Sequence, residues 1–167
     1  MKRNPKKLLT WLLLCSLLLG NLSFLPAQAK EKEDKAVHLD ASEYGVDPTG
    51  EKDSTEAVQK ALAAAKKEEE KGQKVVLEFP RGEYQIYKDK AEVRNYHTSN
   101  TNSLEHPQKT IGILIEEHKN LAIDGNGSLF MMHGNMMALA VVKSENIKLK
   151  NFSWDFEVPT VSEMTIT

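Results

Sequence analysis

The chain has 167 residues, with 22 Lys and Arg against 24 Asp and Glu for a formal charge of −2, and 40% of it is hydrophobic. That is enough for one domain with a modest core. No basic stripe interleaves with aromatics, so the composition argues against nucleic acid, and an anionic polymer such as DNA or pectate would need a positive patch that the sequence does not show.

Residues 1–29 read as a targeting segment. Lys2, Arg3, Lys6 and Lys7 precede the apolar run 8–19, and Ala27-Gln28-Ala29 offers small residues for cleavage. About a dozen apolar residues fall short of the ~20 that span a bilayer. The expectation is a signal peptide cleaved after Ala29, a secreted or periplasmic protein and no stable membrane anchor; a start-transfer anchor is the alternative. The sole cysteine, Cys15, follows Leu14, where a lipoprotein signal would place a small residue. Cleavage would leave no cysteine and hence no disulfide. It would also remove four of the 22 basic residues and none of the 24 acidic ones, leaving a charge of −6. Residues 30–36 form a charged, solvated linker.

From Val37 a short strand leads into the turn Tyr44-Gly-Val-Asp-Pro-Thr-Gly50, where Asp-Pro and Gly supply the bend. A helix then opens at Asp53-Ser54-Thr55-Glu56, with Asp53 as its cap and Glu56 three residues on as in a capping box, and runs to Lys71 before Gly72. Val58, Leu62 and Ala65 share one face. So narrow a stripe suits a helix lying across the end of a stack. Residues 74–79 are apolar and β-branched enough for a strand, and Pro80-Arg81-Gly82 turns it into Glu83-Tyr84-Gln85-Ile86.

Residues 88–110 are a polar excursion with three asparagines, two histidines and little apolar periodicity. Loops of this length within a compact domain are usually functional or disordered. Tyr96, His97, Ser99, Asn100 and Asn102 have the chemistry to hydrogen-bond a sugar, and Tyr96 adds an apolar ring face; a solvated surface excursion is the alternative.

The rest of the chain repeats itself at 26 residues. Ile113 falls on Leu139, Ile115 on Val141, Asn120 on Asn146, Leu121 on Ile147, Ile123 on Leu149 and Phe130 on Phe156. Such a period marks a solenoid, whose units bury their faces against their neighbours; two ordinary strand pairs aligned by chance are the alternative. Asp124-Gly125-Asn126-Gly127 suits a tight turn with positive φ. Asp155 and Glu157 stand two apart on a predicted strand, so both point to one side and can line a cleft, unless they are simply two solvated acids. Trp154 and Phe156 face the other way, toward the predicted core. Glu163 has the same status as the acid pair with less support. The alternating Val-Ser-Glu-Met-Thr-Ile-Thr at the end stops without turn or cap, so the expectation is the N-terminal piece of a longer protein.

Residues 44–62 and the following Phe79-Pro80-Arg81-Gly82-Glu83-Tyr84 resemble the opening signature of the pectate-lyase-like proteins. The implied fold is all-β: a right-handed parallel β-helix, here its N-terminal coils, with a capping α-helix at the N-terminal end. The second half narrows the likeness. The segment from Tyr96 to Asn102, Lys119 to Phe130 with His133-Gly134, Ser144 to Asn151 and Trp154 to Thr165 together resemble the N-terminal part of glycoside hydrolase family 110.

That resemblance implies an exo-acting α-1,3-galactosidase that removes terminal galactose from blood group B-like glycans with inversion. Such chemistry needs a protonated carboxyl at the leaving oxygen and a carboxylate that activates water on the opposite face. Family members carry their catalytic aspartates in later coils, so the catalytic residues are expected beyond Thr167 and the chain alone is expected to be inactive. Asp155, Glu157, Tyr96 and Asn100 remain as substrate-binding candidates. A pectate lyase or polygalacturonase, or a non-catalytic β-helix adhesin, are the competing readings. The five histidines lack zinc spacing and no Asp-rich calcium loop is present, so neither metal nor cofactor is expected.

Overall fold

A computed structural model describes residues 36–97 and 106–159. The predicted signal peptide, the linker through residue 35, Ser99, Asn100, Asn102 and Glu163 lie outside the described residues. In chain order come β1 (Val37–Asp40), a 3-10 turn (Ala41–Tyr44), β2 (Thr49–Asp53), the helix α1 (Thr55–Glu70), β3 (Val75–Glu78) and β4 (Glu83–Tyr87). A second 3-10 turn (Lys88–Lys90) leads to β5 (Glu92–Asn95), β6 (Gln108–Glu116), β7 (Leu121–His133), β8 (Met137–Val142) and β9 (Lys148–Phe156). The protein is mostly β, with parallel strands and, among the described residues, one α-helix.

The long strand β7 organises the larger sheet. Its first part takes β3 in parallel, Val75 opposite Leu121, and its second part takes β4, Glu83 opposite Leu129. Beyond these, β1 lies on β3 and β2 on β4, while β9 runs along the other edge of β7. A second sheet has the order β5-β6-β8, with β8 parallel to β6 and β5 antiparallel to it. The strands thus stack in three columns, and Ile, Val, Leu and aromatic side chains fill the space between them, as parallel strands buried on one side require.

Much of the predicted 26-residue register is present. Ile113 pairs with Leu139, Ile115 with Val141 and Ile123 with Leu149. The corners repeat as well: Glu117 and Lys143 have φ of 58° and 49°, and Asn120 and Asn146 have φ of 60° and 55°. The pairing of Phe130 with Phe156 is not found. Between Asp124 and Ser128 the register slips, so Phe130 lies opposite Trp154 and Phe156 opposite Met132. The cause is the turn Gly125-Asn126-Gly127 within β7, where Asn126 and Gly127 hold φ of 50° and 81°. It takes two more residues than the corresponding corner at Asn151.

Helix α1 buries Ala57, Val58, Ala61, Leu62 and Ala65. It packs against β1, β3, β4 and β6, which represent all three columns, so it lies across one end of them. Its start differs from the predicted capping box. Ser54 is the N-cap but makes no side-chain capping bond, because its buried hydroxyl accepts from the Asp47 backbone N–H at 2.9 Å. Asp53, one residue outside, accepts from the N–H and the hydroxyl of Thr55 at 2.8 and 2.6 Å. Thr55 Oγ1 in turn accepts from the Tyr87 N–H at 2.7 Å, pinning the helix start to β4.

Two further expectations need correction. β2 begins inside the predicted 44–50 turn, since Thr49 already pairs with Glu83. The excursion 88–110 contains β5, whose partner is the start of β6; an antiparallel edge strand needs backbone pairing and not an apolar period.

The core centres on aromatic rings. Tyr84 stacks on Phe130 at 5.1 Å between centroids, while Phe79 and Phe152 meet Phe130 edge-on at 5.3 and 5.5 Å. Such contacts add about 0.5–1.5 kcal/mol beyond area burial. The Tyr84 hydroxyl donates to the Pro80 carbonyl, and burial pushes its pKa up to about 12. Trp154, predicted to be core, is 51% exposed. It continues the Tyr84–Phe130 row, but β9 is the outermost strand among the described residues and nothing among them covers the indole.

Candidate functional site

On the outer side of the column formed by β4, the second part of β7 and β9, the residues that alternate with Tyr84, Ile86, Phe130 and Met132 make a polar row. Tyr87 pairs with His133, and Gln85 with Met131, which pairs onward with Asp155. The Tyr87 and His133 rings stack at 4.2 Å with planes 8° apart. His133 Nδ1 meets Glu157 Oε2 at 2.8 Å, and its Nε2 faces Gln85 Oε1. The Gln85 amide N–H donates to Glu83 Oε1 at 2.8 Å, which fixes the amide with its oxygen toward the imidazole. Both ring nitrogens therefore face acceptors, and the ring is held from three sides.

The predicted candidates separate between two places. Asp155 lies in β9 opposite Met131 and Glu157 directly follows the strand: Glu157 reaches His133, while Asp155 is exposed and accepts the Phe156 N–H at 2.8 Å. Tyr96 lies elsewhere, beside the β5–β6 pair, where its hydroxyl donates to Glu116 Oε1 at 2.6 Å. Arg94 Nε donates to the other oxygen of Glu116 at 3.0 Å, and Arg94 Nη1 bridges to Glu92 at 2.7 Å. The hydrogen bonds from Tyr96 and Arg94 hold the Glu116 carboxyl below the usual range. Asn100 falls outside the described residues.

Sequence reasoning missed Tyr87, Gln85 and His133. His133 was weighed only for zinc spacing, and among the described residues no group of three metal-ligating side chains forms. The available signal was the alignment of Glu83-Tyr-Gln-Ile-Tyr87 on Leu129-Phe-Met-Met-His133, 46 positions on. The polar excursion lengthens this spacing beyond 26 and hides it.

Chemically the row offers carboxylate and amide oxygens, a phenol and an imidazole at one surface, a set suited to hydroxyl-rich ligands. It does not by itself supply the free acid and base of a glycosidase, because Glu157 is engaged by His133.

No protein-family model matches the chain. Individual proteins do. Over 125 residues, 75% of the chain, it is 42% identical to an α-1,3-galactosidase B of Phocaeicola vulgatus. The chain is homologous to part of the α-1,3-galactosidases. An α-1,3-galactosidase B of Bacteroides fragilis is 38% identical over 157 residues, 94% of the chain, and an α-1,3-galactosidase A of Streptomyces avermitilis 36% identical over 143 residues, 84% of the chain. The resemblance to glycoside hydrolase family 110 is thereby borne out. The chain spans about a fifth to a quarter of the length of these galactosidases, with 21%, 25% and 22% of each covered.

Proposed function

We propose that this chain is the N-terminal part of a secreted, exo-acting α-1,3-galactosidase, and that its strands are the first coils of a right-handed parallel β-helix. The observation that carries the activity is the 42% identity to an α-1,3-galactosidase B over three quarters of the chain. The parallel pairing of residues 26 positions apart in β6 with β8 and in β7 with β9, with left-handed corners at the same spacing, supports the coil reading. The leader 1–29 is the signal peptide of the exported protein.

In this reading the substrate is a terminal α-1,3-linked galactose of a blood group B-like glycan, and hydrolysis proceeds with inversion by two carboxyl groups far enough apart to admit water. Those carboxyls belong to later coils, so the present chain is the foundation of the site and has no activity alone. The row Gln85, His133, Glu157 and Asp155 borders the glycan.

The test is to assay the complete protein on a terminal α-1,3-galactosyl oligosaccharide while following the released sugar by NMR. β-Galactose as the first product supports the inverting galactosidase. Release of α-galactose first overturns the inversion, and absence of release with binding intact points to an adhesin.

A further inference from the structure

A second polar site lies between α1 and the β5–β6 pair. It is a cleft of about 170 Å³ lined by Gln59, Leu62, Ala63 and Lys66 of α1 together with Glu92, Arg94, Leu114, Glu116 and His118. Its most telling member is His118, whose side chain is 5% exposed. Nδ1 of His118 meets Glu69 Oε1 at 2.9 Å, and Glu69 Oε2 also accepts the Lys119 N–H at 2.8 Å. Glu69 is thus a fixed acceptor placed to receive the Nδ1–H of His118.

Nε2 of His118 has no partner among the described residues, yet no side-chain nitrogen or oxygen sealed from solvent among them lacks one. His118 is one of the side chains that line the cleft, and Nε2 is the ring nitrogen that Glu69 leaves unengaged. Gln59 has a similar split: its amide N–H donates to the Lys90 carbonyl at 2.9 Å, and its oxygen has no partner among the described residues. Lys66 adds an ammonium held by the Glu116 carbonyl at 3.3 Å and the Glu117 carboxylate at 3.6 Å, with donor capacity left over.

The charges on the walls balance. Arg94 and Lys66 stand against Glu92 and Glu116, with both acids hydrogen-bonded to Arg94. A bare anion or cation therefore gains little there, whereas Leu62, Ala63 and Leu114 give one apolar wall beneath alternating donors and acceptors. We infer that this cleft binds one neutral pyranose residue, its C–H face on Leu62 and Leu114 and its hydroxyls shared among His118 Nε2, Gln59 and Lys66. It is a sugar-binding site distinct from the Tyr87–His133 row, and it rests on the proposed function only for the choice of galactose as probe.

The experiment is calorimetric titration of methyl α-galactopyranoside into the complete protein and into two variants, with hydrolysis measured in parallel. Ala63→Phe fills the cleft from an exposed helix position, so it leaves the fold intact, and Gln59→Ala removes one acceptor. The expected result is one binding event lost in Ala63→Phe and weakened about tenfold in Gln59→Ala, with unchanged hydrolysis. Identical titrations for all three proteins would overturn the site. Hydrolysis without variant-sensitive binding sinks this site and leaves the galactosidase reading standing. Variant-sensitive binding without any hydrolysis does the reverse.

Discussion

The side-chain amide of Asn146 donates to Asn120 Oδ1 at 2.7 Å, and both residues hold left-handed φ, 55° and 60°. The second residue is the 26-residue echo of the first, so the recurrence of Asn in the sequence has two causes at one place. Asn tolerates the left-handed corner better than other side chains, and its amide links one corner to the next.

Asn146→Ala should therefore cost about 1–2 kcal/mol for the left-handed backbone alone, with the lost ladder bond in addition. Asn146→Gly relieves the backbone and loses only the bond. Denaturant unfolding should rank Ala clearly below Gly; equal losses would mean that the amide ladder, and not the corner, is what matters.

At Gly125 β7 passes close to β9. A Cβ placed there would stand 2.4 Å from Phe152 Cβ and 2.8 Å from the Asn151 carbonyl oxygen, so the two strands must separate. Gly125→Ala is expected to destabilise by about 1–3 kcal/mol. At Gly45 nothing lies within 4 Å and only the left-handed φ of 92° opposes a side chain, so thermal unfolding of Gly45→Ala should show a smaller loss.

Asp124 gives the fold an acid limb. Its carboxylate accepts from Lys150 at 2.7 Å, Asn151 at 2.9 Å and the Asn126 N–H at 3.0 Å, and these bonds lower its pKa from 3.8 to about 2. A carboxyl with a lowered folded-state value binds protons less readily when folded than when unfolded. Its contribution is thus complete above about 3.8 and is lost as pH falls through about 2. Stability measured across that window should fall for the unaltered protein and be flatter for Asp124→Asn.

His133→Ala removes the ring held by Tyr87, Gln85 and Glu157 on the row proposed to border the glycan. In the complete protein the expected effect is a KM raised about tenfold with kcat little changed, the pattern of lost ground-state binding. A fall in kcat alone would place His133 in the chemistry, and no change in either would remove the row from the substrate's path.

How much of this was legible in the sequence follows from where periodicity acts. The pairs Ile113–Leu139 and Ile123–Leu149 were readable because apolar residues recur wherever two successive strands share a buried side. Phe130–Phe156 misled because the Gly125-Asn126-Gly127 turn changes the count within a strand, which identity matching does not register. Helix α1 was readable from its apolar spacing, but its cap was not, because Ser54 is claimed by Asp47 from outside the helix. The contacts of His133 and His118 join residues 24 to 49 positions apart, and no local pattern announces them.

One end of the molecule differs in kind from the other. At the helix end α1 packs on β1, β3, β4 and β6 and β5 runs antiparallel to β6, whereas β8 and β9 are the outermost strands at the other end among the described residues. A chain of molecules stacked head to tail requires each end to match the other in strand direction and to be uncovered. Here the helix end carries α1 and one reversed strand, β5, so it is neither uncovered nor matched throughout. The β8–β9 end is the one on which the proposed later coils stack. Strand addition at the helix end meets a helix and one reversed strand, which together act as a terminator against filament growth there.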